Sequence, residues 1–337
     1  MKKLIICSII GAIVGVAAVS VPRYLNDYKK SVAQKTTLYI PFGSTYEQML
    51  DSVATAVGDM KSFNKVAQRA SLSEKFKPGR YVFTPDKSNK DLVRTLIMGW
   101  ENPMMLTLSG NIRGLEKLSG ILGKKLAADS ASFMEYFGRE DVWAECGFNK
   151  ENFMGMFLPN TYEVYWTITP EKLVERMKKE YEKFWNSERT AKAAEIGLTP
   201  QQVSVLASIV CEETNYGPEM PRVAGVYMNR LKKGMKLDAD PTVKFALGDP
   251  TIKRILFRHL EVDSPYNTYK NIGLPPGPIT IPSIKGIEAV LGYENHNYLY
   301  FCASPAMDGT HRFARTLVEH NRNAREYQAK LNKMKIR

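Results

Sequence analysis

Cysteine is scarce. The 337 residues contain four, Cys7, Cys146, Cys211 and Cys302, and no two form a CxxC pair. Cys7 lies in an apolar N-terminus, which leaves an odd three, so neither a disulfide framework nor a zinc knuckle is indicated. HExxH, GxSxG and a glycine-rich phosphate loop are all missing, so metalloprotease, serine-hydrolase and nucleotide chemistry have no foothold. There is also no arginine-rich arm and no aromatic-studded RNA-binding strand. The net charge is +12, but the basic residues are scattered in pairs such as Lys124-Lys125 and Lys178-Lys179. Such scatter fits solvated faces drawn to a negative envelope better than it fits nucleic acid.

What is present describes a folded body behind a membrane segment. With 44% hydrophobic and 24% charged residues, global disorder is excluded and the length favours about two domains. Lys2 and Lys3 precede an uncharged run from Leu4 to Val21. Eighteen helical residues rise about 27 Å, close to the hydrocarbon thickness of a bilayer. A cleaved signal peptide is the rival, since Ala18-Val19-Ser20 passes as a cleavage site. In either case the lysine pair keeps the N-terminus inside and sends the rest across the cytoplasmic membrane. The expected layout is a stub at 1–3, an anchor at 4–22 and a polar tether at 23–36. A membrane-proximal α+β region at 37–165 and a mixed α/β domain at 166–333 follow. No second apolar run is long enough to span; 203–210 reads as a core helix.

Helix starts are written locally. Ser44 with Glu47 and Ser88 with Asp91 have capping spacing, and Thr169-Pro170 opens a helix striped by Leu173, Met177, Tyr181 and Phe184. Thr199, Pro200 and Gln202 start another, expected to run to about Asn215 before Gly217-Pro218 stops it. On a wheel of about 100° per residue, Val203, Leu206, Ala207 and Val210 share one face. Glu213 falls beside Leu206, whereas Glu212 falls outward into solvent. Burial and the negative end of the helix dipole both favour a protonated Glu213, and a carboxylic acid that stays neutral near pH 7 can protonate a leaving oxygen. A structural ion pair would place a glutamate there equally well.

The remaining candidates are weaker singly. Asn229-Arg230 suits a sugar or simply the backbone. Asp240-Pro241-Thr242 has the form of an N-cap followed by proline. Tyr266-Asn267-Thr268-Tyr269 and Gly273-Leu274-Pro275-Pro276-Gly277-Pro278 are turn-forming segments that suit a carbohydrate wall or plain turns. His311 and His320 are single histidines, better read as structural.

In combination these phrases resemble the endolytic murein transglycosylases, the YceG-like family. The resemblance rests on Leu206-Ala207-Ser208-Ile209-Val210-Cys211-Glu212-Glu213-Thr214, Asn229-Arg230-Leu231, Gly234-Met235-Lys236-Leu237 and Asp240-Pro241-Thr242-Val243. It rests too on the two turn segments and on Leu158-Pro159-Asn160-Thr161-Tyr162, in order from about residue 37 to 330. It implies a catalytic Glu213 and sugar contacts from Asn229, Asp240, Thr242, Tyr266, Asn267 and Tyr269. It also implies a LysM-like membrane-proximal subdomain and a peptidoglycan substrate cut between N-acetylmuramic acid and N-acetylglucosamine, leaving a 1,6-anhydro end. No metal or organic cofactor is implied, and peptidoglycan synthases are implied as companions. Cys211 replaces the first member of the family's acidic triplet, and Asn160 stands where many members have aspartate. Two rivals remain: a two-carboxylate muramidase with Asp240 assisting Glu213, and a non-catalytic glycan-binding scaffold.

Overall fold

The computed structural model describes residues 2–249, 252 and 254–334, with side chains described from residue 9 onward. The side chains of Lys2, Lys3 and Cys7 thus lie outside the described residues. Helix (54%) greatly outweighs strand (10%), and the described strands occur only as three two-stranded sheets. The chain forms two compact units. The smaller contains Met1–Leu106, Lys125–Ala127 and Glu163–Ile168; the larger contains the remainder. The chain passes between the two units repeatedly. The cause is long-range: Trp166 packs edge-on to Tyr39 at 5.1 Å, which ties 163–168 to the first strand.

The smaller unit begins with α1 (Lys2–Tyr28), followed by β1 (Thr36–Ile40), α2 (Tyr46–Ala54), α3 (Met60–Arg69), α4 (Leu72–Lys75), β2 (Gly79–Phe83) and α5 (Asn89–Met98). Residues 9–28 of α1 are long and apolar enough to cross a membrane, and none of the most apolar window is buried in protein. Pro22 does not end α1, and residues 23–28 are helix rather than tether. They are held by protein contacts: Asn26 accepts from Ser62 Oγ at 2.9 Å, and Asp27 pairs with Arg69. Ser31 and Val32 are buried as well. β1 pairs antiparallel with β2, Leu38 opposite Tyr81 and Ile40 opposite Gly79. Alternation turns Leu38, Ile40, Tyr81 and Phe83 inward onto Met49, Val53, Phe63, Leu92 and Leu96. The box on α5 is Ser88 with Asp91, as spaced in the sequence. On α2 it is Thr45 with Gln48, one residue later than expected, because Ser44 turns its hydroxyl back to the Pro41 carbonyl.

Next come β3 (Met104–Leu108), α6 (Leu115–Lys125), α7 (Ser130–Phe137), α8 (Glu140–Glu145) and β4 (Asn160–Val164), which pairs with β3. The larger unit continues with α9 (Pro170–Phe184), α10 (Ser187–Glu195), α11 (Pro200–Glu213), α12 (Met220–Lys232), α13 (Asp240–Leu247), α14 (Ile284–Leu291), β5 (Tyr300–Ala303), β6 (His311–Ala314) and α15 (Leu317–Lys333). A cluster of Phe133, Phe137, Phe153 and Phe157 fills one part of its core, with Phe137 and Phe157 ring centres 5.3 Å apart. α11 is the central helix. Thr199 and Gln202 cap it with Pro200 in its first turn, as its sequence dictates. Every residue from Val203 to Cys211 is buried, not one face alone, because α10, α12, α13 and α14 all pack on it. Ser204 and Ser208 tolerate this by donating to the Pro200 and Val205 carbonyls. A Cβ at Gly286 of α14 would lie 2.3 Å from Cys211 Sγ, so the close approach of α14 requires glycine there.

Candidate active site

α11 ends at Glu213, and its carboxyl opens on a cleft of about 460 Å3 within the larger unit. Tyr227, Arg230, Asp238, Asp240, Tyr269, Tyr300, Phe301 and His311 share this cleft. Tyr227 is buried on α12 and donates its hydroxyl to Glu213 Oε1 at 2.6 Å. Burial raises the Glu213 carboxyl from 4.5 to about 7; the Tyr227 hydrogen bond pulls the other way, the charges of Asp240 and Glu212 push upward, and Arg230 lowers it. The result is an acid that is substantially protonated near neutral pH and remains in reach of the cleft.

Arg230 is buried, and its charge is met by three backbone carbonyls and one carboxylate. Its Nε donates to the Leu299 carbonyl at 2.7 Å. Its Nη1 donates to the carbonyls of Lys236 and Leu237 and to Asp238 Oδ2 at 2.9 Å. It thereby fastens the 236–238 turn to β5, and Asp238 takes the left-handed conformation (φ 49°) that aims it into the cleft. Glu219 is buried and accepts from the His311 backbone N–H at 2.9 Å and from Nδ1 at 2.7 Å, which fixes His311 at the cleft wall. Phe301 packs edge-on against both Tyr227 and His311. Among the described residues, no group of three or more His, Cys, Asp or Glu is placed to hold a metal ion.

The residues singled out from sequence divide into two sets. Glu213, Asp240 and Tyr269 meet at the cleft. Asp240 is not an N-cap: Ala239 holds that position, and the Asp240 carboxylate, at the first turn of α13, accepts from Tyr269 Oη at 2.7 Å. Asn229, Thr242, Tyr266 and Asn267 lie elsewhere. Asn229 is two positions from Tyr227, about 200° round α12, and its amide donates to the carbonyls of His296 and Tyr298. Thr242 is fully buried and bonds to Thr268 Oγ1 and the Ala239 carbonyl, both at 2.8 Å. Asn267 is likewise buried and donates to the carbonyls of Leu260 and Val262, knitting its own loop. Tyr266 packs at a tilt against Phe245 with ring centres 4.7 Å apart and borders a different cavity. Glu212 is not simply solvated: its side chain is 14% exposed and paired with Arg113, brought over it by the segment ahead of α6. Tyr227 and Asp238 were not singled out from sequence, and Arg230 was considered only together with Asn229. The usable signal was the three-residue spacing of Tyr227 and Arg230, which puts both on one helix face.

Comparison with known proteins agrees with this architecture. A 135-residue stretch is 41% identical to the endolytic murein transglycosylase of Bacillus subtilis, covering 40% of this chain and 37% of that protein. A 183-residue stretch is 30% identical to the endolytic murein transglycosylase of Streptococcus pneumoniae, covering 53% and 33%. The matches thus span about a third of those relatives' own length. A crystal structure of a yceG-like protein from Listeria monocytogenes superposes with a TM-score of 0.58 at 26% identity, over 86% of this chain and 98% of that one. The YceG-like family model matches residues 38–326, from the first strand through all but the end of α15 and every cleft residue, and the chain belongs to that family.

Proposed function

We propose that this protein is an endolytic lytic transglycosylase of peptidoglycan. The observation that carries the proposal is Glu213: a carboxyl held near pH 7 by burial, hydrogen-bonded to Tyr227, at the floor of an open cleft. The names of the Bacillus and Streptococcus relatives support the same reading.

In the proposed mechanism, Glu213 in its protonated form donates to the glycosidic oxygen between N-acetylmuramic acid and N-acetylglucosamine. Positive charge then spreads over the muramic ring, and the exposed Asp240 carboxylate is suited to stabilise it. Glu213, now a carboxylate, takes the proton of the muramic C6 hydroxyl as that oxygen closes on C1 and leaves a 1,6-anhydro end. Because the nucleophile is tethered to the reacting ring, its effective concentration is high and a second catalytic carboxylate is dispensable. Tyr227 holds Glu213 in place through both steps. Mass spectrometry of digested sacculi tests this. Anhydro ends are expected from wild type and none from Glu213→Gln. Reducing ends would instead support a muramidase in which Asp240, lining the same cleft, activates water.

The body is read as extracytoplasmic, held by α1 as a retained single-pass anchor, where it acts on nascent strands. The length and apolarity of residues 9–28 support this; an intact mass lacking the first twenty or so residues would indicate a cleaved signal instead. The run from Thr36 to Phe83, two paired strands with three helices between them, is read as a LysM-like glycan-contacting module. Loss of sacculus binding when exposed side chains of this run are changed would test it.

A further inference from the structure

The last two residues of α11 are both glutamates, and their side chains line two different cavities at one helix end. Glu213 borders the cleft described above. Glu212 borders a second cavity of about 610 Å3, together with Arg113, Lys117, Lys244 and Phe245. The two Cα atoms are necessarily about 3.8 Å apart, so a ligand reacting at Glu213 has a neighbouring chamber within one residue.

The chamber is lined by more cations than carboxylates. Glu212 is neutralised by Arg113. Lys117 is exposed, Lys244 half-buried, and neither has a carboxylate at ion-pair distance among the described residues. Asp249 also borders the cavity, so three cations, Arg113, Lys117 and Lys244, face two carboxylates, Glu212 and Asp249, and the lining carries a net positive charge. Phe245 lines it and packs at a tilt against Tyr266, and Arg113, Lys117 and Phe245 also border an adjoining, more apolar cavity that contains Tyr266. The combined groove is cationic at one end and apolar at the other. A strand stripped of its peptide keeps only the lactyl carboxylate fixed on each muramic ring, and it has no aliphatic part to lay against the apolar end. An extended peptide with carboxylates and short aliphatic side chains matches both ends.

Building on the transglycosylase reading above, we propose that this groove binds the carboxylate-bearing peptide branch of the muramic acid seated at Glu213. The enzyme then selects peptide-substituted strands over bare glycan. The lysines attract the peptide carboxylates, and Phe245 and Tyr266 cover its aliphatic part.

The test uses the full-length protein in detergent with two substrates: uncross-linked strands carrying their peptides, and the same strands stripped by an amidase. The readout is the ratio of kcat/KM for the two. Wild type is expected to favour the peptide-bearing strands. The double variant Lys117→Gln/Lys244→Gln should lower that ratio roughly fivefold, the loss expected for two partly exposed ion pairs. Lys117→Glu, at an exposed position that folding does not depend on, should lower it further, and added salt should lower it for wild type. Equal cleavage of both substrates by wild type, or a ratio unmoved by both variants, overturns the proposal. If wild type cleaves neither substrate, the transglycosylase assignment fails separately. Binding of the two strand types to Glu213→Gln protein then decides the groove: a preference for peptide-bearing strands supports it, and equal binding overturns it.

Discussion

Replacing Glu213 with glutamine should stabilise this protein at alkaline pH while removing the proposed activity. The carboxyl ionises near 4.5 when free and near 7 in the fold. At about pH 4 it is protonated in both states, and its ionisation contributes nothing to stability. As pH rises through the interval between those two values, the unfolded chain gives up its proton and the folded chain does not, so the folded state loses ground. Above about pH 8 both are ionised, and the loss reaches its full value, about 3 kcal/mol from the two ionisation points. Contact with the cleft reduces it somewhat. A glutamine amide at this position has no charge to bury and can still accept from Tyr227. The Glu213→Gln variant should therefore match wild type near pH 4.5 and exceed it near pH 8.5 by about 2–3 kcal/mol. For a body of this size the excess is roughly 5–10 °C in Tm. Thermal unfolding of both proteins at the two pH values, read as the difference of differences, cancels the titration of all other groups. An excess that does not grow with pH would refute the claim that Glu213 is held protonated by its surroundings.

Other outcomes follow from the same geometry. In kcat/KM, activity should fall as pH rises through about 7, where Glu213 loses its proton. Tyr227→Phe removes the hydrogen bond that favours the carboxylate, so this limb should move to higher pH, with a lower plateau rate; an unmoved limb would mean the bond is absent in solution. Asp240→Asn removes a negative charge that favours the protonated form, so the limb should move to lower pH in the same assay. Thr242→Val breaks a buried hydroxyl pair and should cost about 1–3 kcal/mol in urea unfolding with KM unchanged. A raised KM with intact stability would return Thr242 to the sugar site.

Local chemistry was legible in the sequence, and distant packing was not. The caps at Ser88 and Thr199 need only neighbours three residues away, and both formed as spaced. The wheel separated Glu213 from Glu212, since one helix fixes their relative directions. It could not foresee that Arg113, 99 positions earlier, would cover Glu212, nor that α12 and α14 would bury the rest of α11. The polar phrases divided for a related reason. In Tyr266-Asn267-Thr268-Tyr269 only Tyr269 reaches the cleft, because Asn267 and Thr268 satisfy backbone and hydroxyl partners inside the fold. Asn229 drew attention that belonged to its neighbours Tyr227 and Arg230. A polar side chain within a family phrase is as readily a brace as a contact, and only the fold distinguishes the two.

The exchange of segments between the two units constrains how this chain can be made and cut. Residues 125–127 and 163–168 complete the smaller unit although two stretches of the larger one, Thr107–Lys124 and Ala128–Tyr162, come before the last of them. A ribosome must therefore deliver about half the polypeptide before the first globule has all its parts, and no single cleavage point yields two intact halves. Dissection by truncation near residue 106 should give fragments that lack Trp166 against Tyr39. Genetic shuffling of either piece into another protein meets the same obstacle.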